Sequence, residues 1–195
     1  MESSPGCRYV SRGGHKLAAA LDGFDLDPTD VICADLGSNV GGFVDCLLQR
    51  GAAKVYAIDT GYGVLAWKLR RDPRVVVMER VNAMHATLPE PVDLVTIDVG
   101  WTRQHHIVPA ALGLLATGGR IVTLIKPHYE GDRHELRKGV LAPATAQERL
   151  GAIQQRITDA GAVVRQIIPS PIAGGKGNVE FLALLSPRSA PPSTR

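Results

Sequence analysis

The stretch "ADLGSNVGGF" (residues 34–43) decides the fold. A short apolar run ends at Asp35 and Gly37, and a pair of glycines, Gly41 and Gly42, then opens a segment of helical period. A strand, a glycine-rich turn and a helix in this order form the first unit of an open α/β sheet, where a ligand can approach the bare backbone of the turn. The turn reads D-x-G-x-x-x-G-G rather than G-x-G-x-x-G, which argues against NAD.

Short apolar runs rich in valine and isoleucine recur along the rest of the chain. They occupy residues 31–37, 54–59, 74–79, 92–98, 120–126, 162–168 and 179–185. Their apolarity is continuous rather than alternating, which is typical of strands that are covered on both faces. Segments of helical period lie between them, and Gly51, Gly118 and Gly161 stand where helix C-caps are expected. The pattern predicts a doubly wound, Rossmann-like α/β sheet.

The last two runs are joined by "PSPIAGGKGN" (169–178), which is too short and too rich in glycine and proline for a crossover helix. We therefore predict an antiparallel last strand in an otherwise parallel sheet.

One domain is predicted over residues 8–186, between tails at 1–7 and 187–195 whose composition predicts disorder.

The composition permits one buried core and disfavours several classes of protein. The chain has 195 residues, of which 45% are hydrophobic, and its net charge of +3 permits an anionic partner without requiring one. Cys7, Cys33 and Cys46 form no CxxC motif, so neither a disulfide framework nor a zinc ribbon is predicted, and a reducing cytoplasm fits best. No apolar run approaches the roughly 20 residues that span a bilayer, so we expect a soluble protein.

No metal site is predicted. His105, His106, His128 and His134 invite a metal interpretation, but their spacing matches no zinc motif such as H-E-x-x-H. His128 is instead expected to line the mouth of a ligand site.

Asp59 supports a nucleoside ligand at the glycine-rich turn. It ends the second predicted strand 18 residues beyond Gly41, and a carboxylate about 20 residues along commonly binds ribose hydroxyls in such folds. Any α/β fold has glycine-rich turns and acidic strand ends, but here the two features occur in register. We therefore predict a nucleoside site at this turn.

Four further charged residues lie at positions that the packing of an apolar core does not explain. Asp98 and Lys126 end the fourth and fifth predicted strands, Glu180 lies at the seventh, and Lys16 precedes the first. Each alone could be an ordinary solvated or ion-paired residue. The carboxyl ends of the fourth and fifth strands are neighbours in a doubly wound sheet, so Asp98 and Lys126 should meet. A lysine beside another cation and sheltered from water loses its proton more readily, while carboxylates hold it in position and raise its pKa again, which leaves a tunable base.

Six segments, taken in order, resemble the FtsJ-type ribose methyltransferases, and most closely the TlyA (hemolysin A) ribosomal RNA 2'-O-methyltransferases. The segments are "SRGGHKL", "DLGSNVGGFVDCLLQRGAAKVYAID", "GYGVLAWKLRRDPRVVVMERVNA", "VDLVTIDV", "IVTLIKPHYE" and "PSPIAGGKGNVEF". The resemblance covers roughly residues 8–185, which is nearly the whole predicted domain.

The resemblance implies S-adenosylmethionine as the cofactor and a Lys-Asp-Lys-Glu catalytic tetrad. Carried over, the tetrad is Lys16, Asp98, Lys126 and Glu180, with Lys126 as the base that receives the proton of the ribose 2'-hydroxyl. The implied cofactor contacts are Asp35, Gly37, Ser38, Gly41, Gly42, Asp59, Asn82 and Asp98. No metal is needed for a transfer from a sulfonium.

The sequence also departs from the family. TlyA proteins usually carry an N-terminal S4 RNA-binding domain, and only about seven residues precede the matching segment here, so a protein partner is expected to help hold the RNA. The expected RNA contacts are Arg8, Arg12, Lys16, Arg133 and Lys138, together with the cluster "KLRRDPR".

A second departure follows Asp98. The family tends to read Ser-Phe-Ile-Ser where this chain has Gly100 to Arg103, and Trp101 in that segment could stack on a base or be a packing residue. Two other functions compete with RNA methylation: a methyltransferase for a small molecule or protein, and a non-catalytic binding module that keeps the nucleoside pocket. The intact tetrad argues against both, since unused buried charges cost desolvation free energy.

Overall fold

The protein is represented by a computed structural model that describes residues 8–131 and 133–188. Cys7, the predicted tail 1–7 and residues 189–195 of the other predicted tail lie outside the described residues. The strands in the described part are β1 (Ile32–Leu36), β2 (Lys54–Asp59), β3 (Val75–Glu79), β4 (Val92–Ile97), β5 (Leu115–Ile125), β6 (Ala162–Pro169) and β7 (Phe181–Pro187). The α-helices there are α1 (Gly13–Gly23), α2 (Gly42–Gln49), α3 (Trp67–Arg70), α4 (Gln104–Leu114), α5 (Pro127–Glu130) and α6 (Pro143–Asp159).

The described strands form one seven-stranded sheet in the order β3-β2-β1-β4-β5-β7-β6. The pairs from β3 through to β5 are parallel, whereas β7 runs antiparallel to both β5 and β6. The last strand in sequence is thus inserted between its two predecessors. This confirms the prediction of a doubly wound, mostly parallel sheet with an antiparallel last strand.

Two hydrophobic clusters cover the two faces of the sheet. One contains Leu17 and Leu21 of α1 and Leu47 of α2. The other contains Ile107 of α4 and Ile153 of α6. Burial on both faces is the physical reason that the strands read as continuous rather than alternating apolar runs.

The predicted helix cap at Gly118 is wrong, although those at Gly51 and Gly161 follow α2 and α6 with φ of 90° and 99°. Helix α4 ends at Leu114, and Gly118 lies inside β5 with φ of 84°. Val92 pairs with Leu115 but Leu94 pairs with Arg120, so β5 bulges between these two positions. The left-handed glycine therefore serves a bulge rather than a helix end.

The segment "YGVLAWKLRR" (62–71), which has a helical period, is α-helical only over the single turn α3. None of the helices in the described ranges is long and apolar enough to cross a membrane.

Candidate active site

The carboxyl ends of β4 and β5 bring Asp98 and Lys126 together. These strands are parallel neighbours, so the residues that follow them leave the sheet at the same edge. Nζ of Lys126 lies 2.5 Å from Oδ1 of Asp98 and donates a hydrogen bond to the backbone oxygen of Val99 at 3.0 Å. Pro127 begins α5 directly after the lysine and ends the strand there. The predicted contact is confirmed, and its chemical role stays a prediction.

Lys16 and Glu180 form a second ion pair. Lys16 comes from α1 and Glu180 from the residue before β7, and Nζ of the lysine lies 2.5 Å from Oε2 of the glutamate. Their side chains are only 11% and 3% exposed, so the charges are largely removed from water. Gly174 packs directly against this glutamate, because a Cβ at that position would collide with the carboxylate. The carboxylate therefore lies between Lys16 and the backbone of Gly174.

His128 is a buried histidine whose pKa is influenced by the lysines of both ion pairs. Burial, together with the positive charges of Lys126 and Lys16, lowers the pKa of its imidazole from 6.5 to about 4. Both lysines thus lie close enough to repel a proton on the same ring, which is uncharged at neutral pH. The assembly of the four predicted tetrad residues into one catalytic site stays a prediction, supported by the two ion pairs and by the neutral histidine that both lysines influence.

The glycine-rich turn packs directly against Asp98. The amides of Gly37 and Ser38 both donate to the backbone oxygen of Ile58, at 2.9 and 3.0 Å, which ties the turn to the end of β2. Gly37 has φ of 88°, and a Cβ there would lie 2.7 Å from the backbone oxygen of Asp98. Only glycine permits this approach, which places the turn next to the lysine–aspartate pair.

The following glycines also have a packing role that the sequence did not reveal. A Cβ at Gly42 would collide with Ser11 Oγ and lie 2.9 Å from the backbone nitrogen of Gly14. Helix α1 therefore crosses the start of α2 at close range, and this crossing carries Lys16 into the site. A Cβ at Gly41, where φ is 101°, would collide with Leu69. Their predicted contact with a cofactor stays a prediction.

Three carboxylates lie around this turn. Asp59 accepts hydrogen bonds from the amides of Asn39 at 2.8 Å and Gly61 at 2.7 Å, so its orientation is fixed. Asp35 is 1% exposed and accepts a hydrogen bond from Thr96 at 2.7 Å, while its Oδ2 is buried without a hydrogen-bond partner among the described residues. Burial, with smaller contributions from the charges of Asp98 and Asp59, raises the pKa of Asp35 to about 7, although the hydrogen bond from Thr96 opposes the shift. Acidic side chains of three strand ends thus lie close together at this edge of the sheet.

Asp35 predicts a pH dependence of stability. Its pKa is about 7 in the folded protein against an ordinary value of 3.8, so folding favours its protonated form. Its contribution to stability is therefore present below about pH 4 and is lost as the pH rises towards about 7. Relative to Asp35→Asn, the wild-type free energy of unfolding should fall over this window by up to about 4 kcal/mol, since one pKa unit corresponds to about 1.4 kcal/mol. Urea unfolding of both proteins across this range measures the difference, and parallel curves would contradict the prediction.

Asn82 has a demonstrated local role. Its side chain accepts a hydrogen bond from the backbone nitrogen of Met84 at 3.0 Å and caps a short 3₁₀ turn at Ala83–His85. This is the ordinary use of asparagine in a turn. The predicted contact with adenine stays a prediction.

The predicted RNA contacts fall into separate groups. Arg8 and Arg12 are exposed at the start of α1, the element that carries Lys16. Lys138 is exposed on a loop, and its backbone oxygen accepts a hydrogen bond from Lys176 Nζ at 3.4 Å. Lys176 was not predicted, although it lies in the "GGKGN" segment that leads to Glu180. Arg133 lies in a 3₁₀ turn and its side chain is outside the described part of the structure.

The cluster "KLRRDPR" is largely engaged within the protein. Lys68 pairs with Asp45 at 3.0 Å, Arg70 pairs with Glu79, and Arg74 pairs with Asp72 at 2.8 Å. Charges neutralised in this way attract phosphates less strongly, so the groups beside Lys16 and Lys138 are the better candidates for an RNA surface.

No cluster of three or more metal-ligating side chains occurs in the ranges that the structure describes.

The fold is shared with two solved structures named as S-adenosylmethionine-dependent methyltransferases, from Listeria monocytogenes and Mesorhizobium loti, which superpose with TM-scores of 0.67 and 0.63 at 15% identity. The sequence profile of the FtsJ-like methyltransferases matches residues 9–186. The chain therefore belongs to the FtsJ-like methyltransferase family.

Several relatives agree with this assignment. The chain is 43% identical over 184 residues to YqxC of Bacillus subtilis, covering 90% of this chain and 64% of YqxC. It is 40% identical over 183 residues to the 16S/23S rRNA (cytidine-2'-O)-methyltransferase TlyA of Mycobacterium tuberculosis, covering 91% of this chain and 68% of TlyA. A solved structure from Streptococcus thermophilus, named as a hemolysin, superposes with a TM-score of 0.90 at 39% identity, covering 97% of this chain and 70% of that one. The chain thus spans about two thirds of the length of these relatives.

Proposed function

We propose that the chain is an S-adenosylmethionine-dependent ribose 2'-O-methyltransferase that acts on ribosomal RNA. The observation that carries the proposal is the presence of two sheltered lysine–carboxylate pairs, of which Lys126–Asp98 lies beside the glycine-rich turn. The name of the Mycobacterium tuberculosis relative supports the substrate class. We also propose a cytoplasmic location, since ribosomal RNA is found there. The expected protein partner stays a prediction.

The residues around the turn fit S-adenosylmethionine. This cofactor carries a positive sulfonium and an amino group, and the three carboxylates of Asp35, Asp59 and Asp98 offset such charges. Asp59 is held by two backbone amides, and we propose that it accepts hydrogen bonds from the ribose hydroxyls. Bound there, the cofactor supplies an electrophilic methyl group. The residues proposed to hold it are Asp35, Gly37, Ser38, Gly41, Gly42, Asp59, Asn82 and Asp98.

Lys126 is proposed as the base. In its neutral form, Nζ accepts the proton of the ribose 2'-hydroxyl as that oxygen forms its bond to the methyl carbon and the carbon–sulfur bond breaks. Asp98 and the backbone oxygen of Val99 fix the position of Nζ through two contacts.

Lys16, Glu180 and His128 complete the site. The ion pair between Lys16 and Glu180 presents a donor and an acceptor to the ribose, which aligns the attacking oxygen. His128 is uncharged at neutral pH, so it adds no third positive charge beside the lysines. Alignment of two bound substrates can supply roughly 7–11 kcal/mol of the barrier reduction, which leaves a modest share for proton transfer.

The proposal predicts methyl transfer to ribose hydroxyls of ribosomal RNA. The protein should transfer tritium from methyl-labelled S-adenosylmethionine to isolated ribosomal subunits or to their RNA. The label should appear in alkali-resistant dinucleotides, because a methylated 2'-oxygen cannot attack the adjacent phosphate. Asp98→Asn should lose this signal. Label found in a base, or transfer only to protein or small molecules, would exclude the proposed reaction.

A further inference from the structure

We infer that a cavity near the lysine–aspartate pair binds a phosphodiester group of the RNA, and this inference rests on the proposed function. The cavity has a volume of about 210 Å³ and lies between the start of α4, the end of α5 and the middle of α6. Sites that enclose a drug-sized ligand measure roughly 300–1,000 Å³, so this one suits a small group rather than a whole nucleotide. Its charged lining residues are Arg103, Arg149, Arg156, Glu130 and Glu135.

The charges of the lining complement a single negative charge. Three arginines and two glutamates give the cavity a net charge of +1, and a phosphodiester carries one negative charge. Arg149 pairs with Glu135, and Nη1 of Arg156 lies 3.7 Å from Oε2 of Glu130. Arg103 forms no ion pair or side-chain hydrogen bond within the part of the chain that the structure describes. It therefore supplies the positive charge that the glutamates leave unbalanced.

Two buried polar atoms of the lining have unused hydrogen-bonding capacity. Nη1 of Arg149 and Oε2 of Glu130 have no hydrogen-bond partner among the described residues. The Glu130 side chain is only 3% exposed, and a buried polar atom without a partner costs free energy that a ligand can recover. Guanidinium donors suit the oxygens of a phosphate, and the glutamate oxygen suits a ribose 2'-hydroxyl next to it. An RNA backbone offers both groups together.

The position of the cavity is tied to the residues proposed to react. Glu130 ends α5 four residues after Lys126, and Arg103 follows Asp98 by five residues. Four helical residues rise roughly 6 Å, so the cavity begins about one helical turn from the proposed base. The amide of Gln104 donates to Oε1 of Glu130 at 2.7 Å, which ties the start of α4 to the end of α5. An RNA strand that delivers a ribose to Lys126 therefore brings a neighbouring phosphate close to the cavity.

Arginine suits this ligand better than lysine does. Its guanidinium is planar and presents several N–H donors in a fixed fork that matches two oxygens of a phosphate. Gly131 also lines the cavity, and a Cβ there would collide with the guanidinium of Arg149. The absence of a side chain at position 131 thus leaves room for this guanidinium in the cavity wall.

RNA binding at several salt concentrations tests the inference. In Arg103→Gln the affinity for ribosomal RNA should fall roughly 10-fold or more, the scale of a lost hydrogen bond to a charged group. The slope of log affinity against log salt should fall by about one, as expected for one lost phosphate contact. The affinity for S-adenosylmethionine should stay near wild type. Arg103→Lys should keep the slope, because it keeps the charge, but should lose part of the affinity with the fork.

Arg120→Gln is the matched control for the loss of one positive charge. Arg120 is exposed on β5 and precedes Lys126 by six residues, which places it roughly 20 Å away along the strand. This variant should change neither the affinity for RNA nor the slope.

Competition by inorganic phosphate provides a readout that a merely structural role would not change. At equal ionic strength, phosphate should weaken RNA binding by the wild type more than chloride does, and this difference should vanish in Arg103→Gln. Unchanged RNA affinity and slope in Arg103→Gln, equal changes in Arg120→Gln, or a phosphate effect that persists without Arg103 would overturn the inference. Loss of the phosphate effect with unchanged RNA affinity would assign the cavity to free phosphate and overturn its assignment to RNA.

The failure of this inference can be told apart from the failure of the proposed function. If the wild type transfers no methyl group to RNA, the proposed function itself fails. Normal wild-type transfer, with Arg103→Gln equal to the wild type in RNA affinity and slope, removes only the phosphate site.

Discussion

Replacing Lys126 with alanine is expected to reduce methyl transfer by about 100-fold or more, the usual scale for losing a positioned acid or base. The affinity for S-adenosylmethionine should remain close to wild type, because the turn and the three carboxylates are untouched. Single-turnover transfer to ribose at saturating cofactor measures the first quantity, and calorimetry measures the second. An interaction that acts in the transition state lowers the rate without weakening binding of the cofactor.

Lys126→Arg separates a base from a fixed charge. The guanidinium keeps the positive charge beside Asp98 but stays protonated at any working pH, so it cannot take the hydroxyl proton. We expect the arginine variant to be as inactive as the alanine variant. Near-normal turnover would show that position 126 needs only a cation, and the general-base role would have to be abandoned.

The second large effect concerns the stability supplied by Lys16 and Glu180. Glu180→Leu should lower the free energy of unfolding by about 3–5 kcal/mol, because it leaves the sheltered charge of Lys16 without its partner. Lys16→Met should be similarly destabilising. The double variant removes both charges and should regain most of the loss, since apolar side chains of similar volume can replace a buried ion pair.

Activity distinguishes the two roles of this pair. The double variant should be stable but inactive, because it lacks the groups proposed to hold the ribose. Denaturant unfolding of all four proteins gives the coupling energy between the two positions. A double variant as unstable as the sum of the single variants would show that the two charges are not coupled, and a stable, active one would remove the pair from the proposed site.

The sheet and the contact between Asp98 and Lys126 could be predicted from the sequence because both follow from topology. Continuous apolar runs identify strands covered on both faces, and parallel neighbours bring their carboxyl ends together. Lys16 and Glu180 were brought into the tetrad by resemblance alone. Their contact depends on α1 crossing α2 at Gly42 and on β7 entering the sheet beside β5.

Other features depend on tertiary contacts that a linear pattern does not contain. A glycine with a left-handed backbone can end a helix or form a β-bulge, and the sequence does not distinguish the two. For this reason the predicted helix cap at Gly118 is wrong. Gly42 could serve a ligand or a neighbouring helix, and its sequence context favours neither. The neutral state of His128 results from burial beside two lysines that are 112 and 2 residues away in sequence.

The insertion of β7 has a consequence for the synthesis of the protein. This strand is the last of the seven to be translated, yet it fills the gap between β5 and β6 and directly follows Glu180. Ile121 of β5 pairs with Leu185 of β7, so the nascent chain must wait for its final strand before the sheet can close. Until then two strands expose unpaired edges and one residue of the tetrad has no fixed place. The ion pair between Lys16 and Glu180 is therefore expected to form only after the last strand of the sheet has been translated.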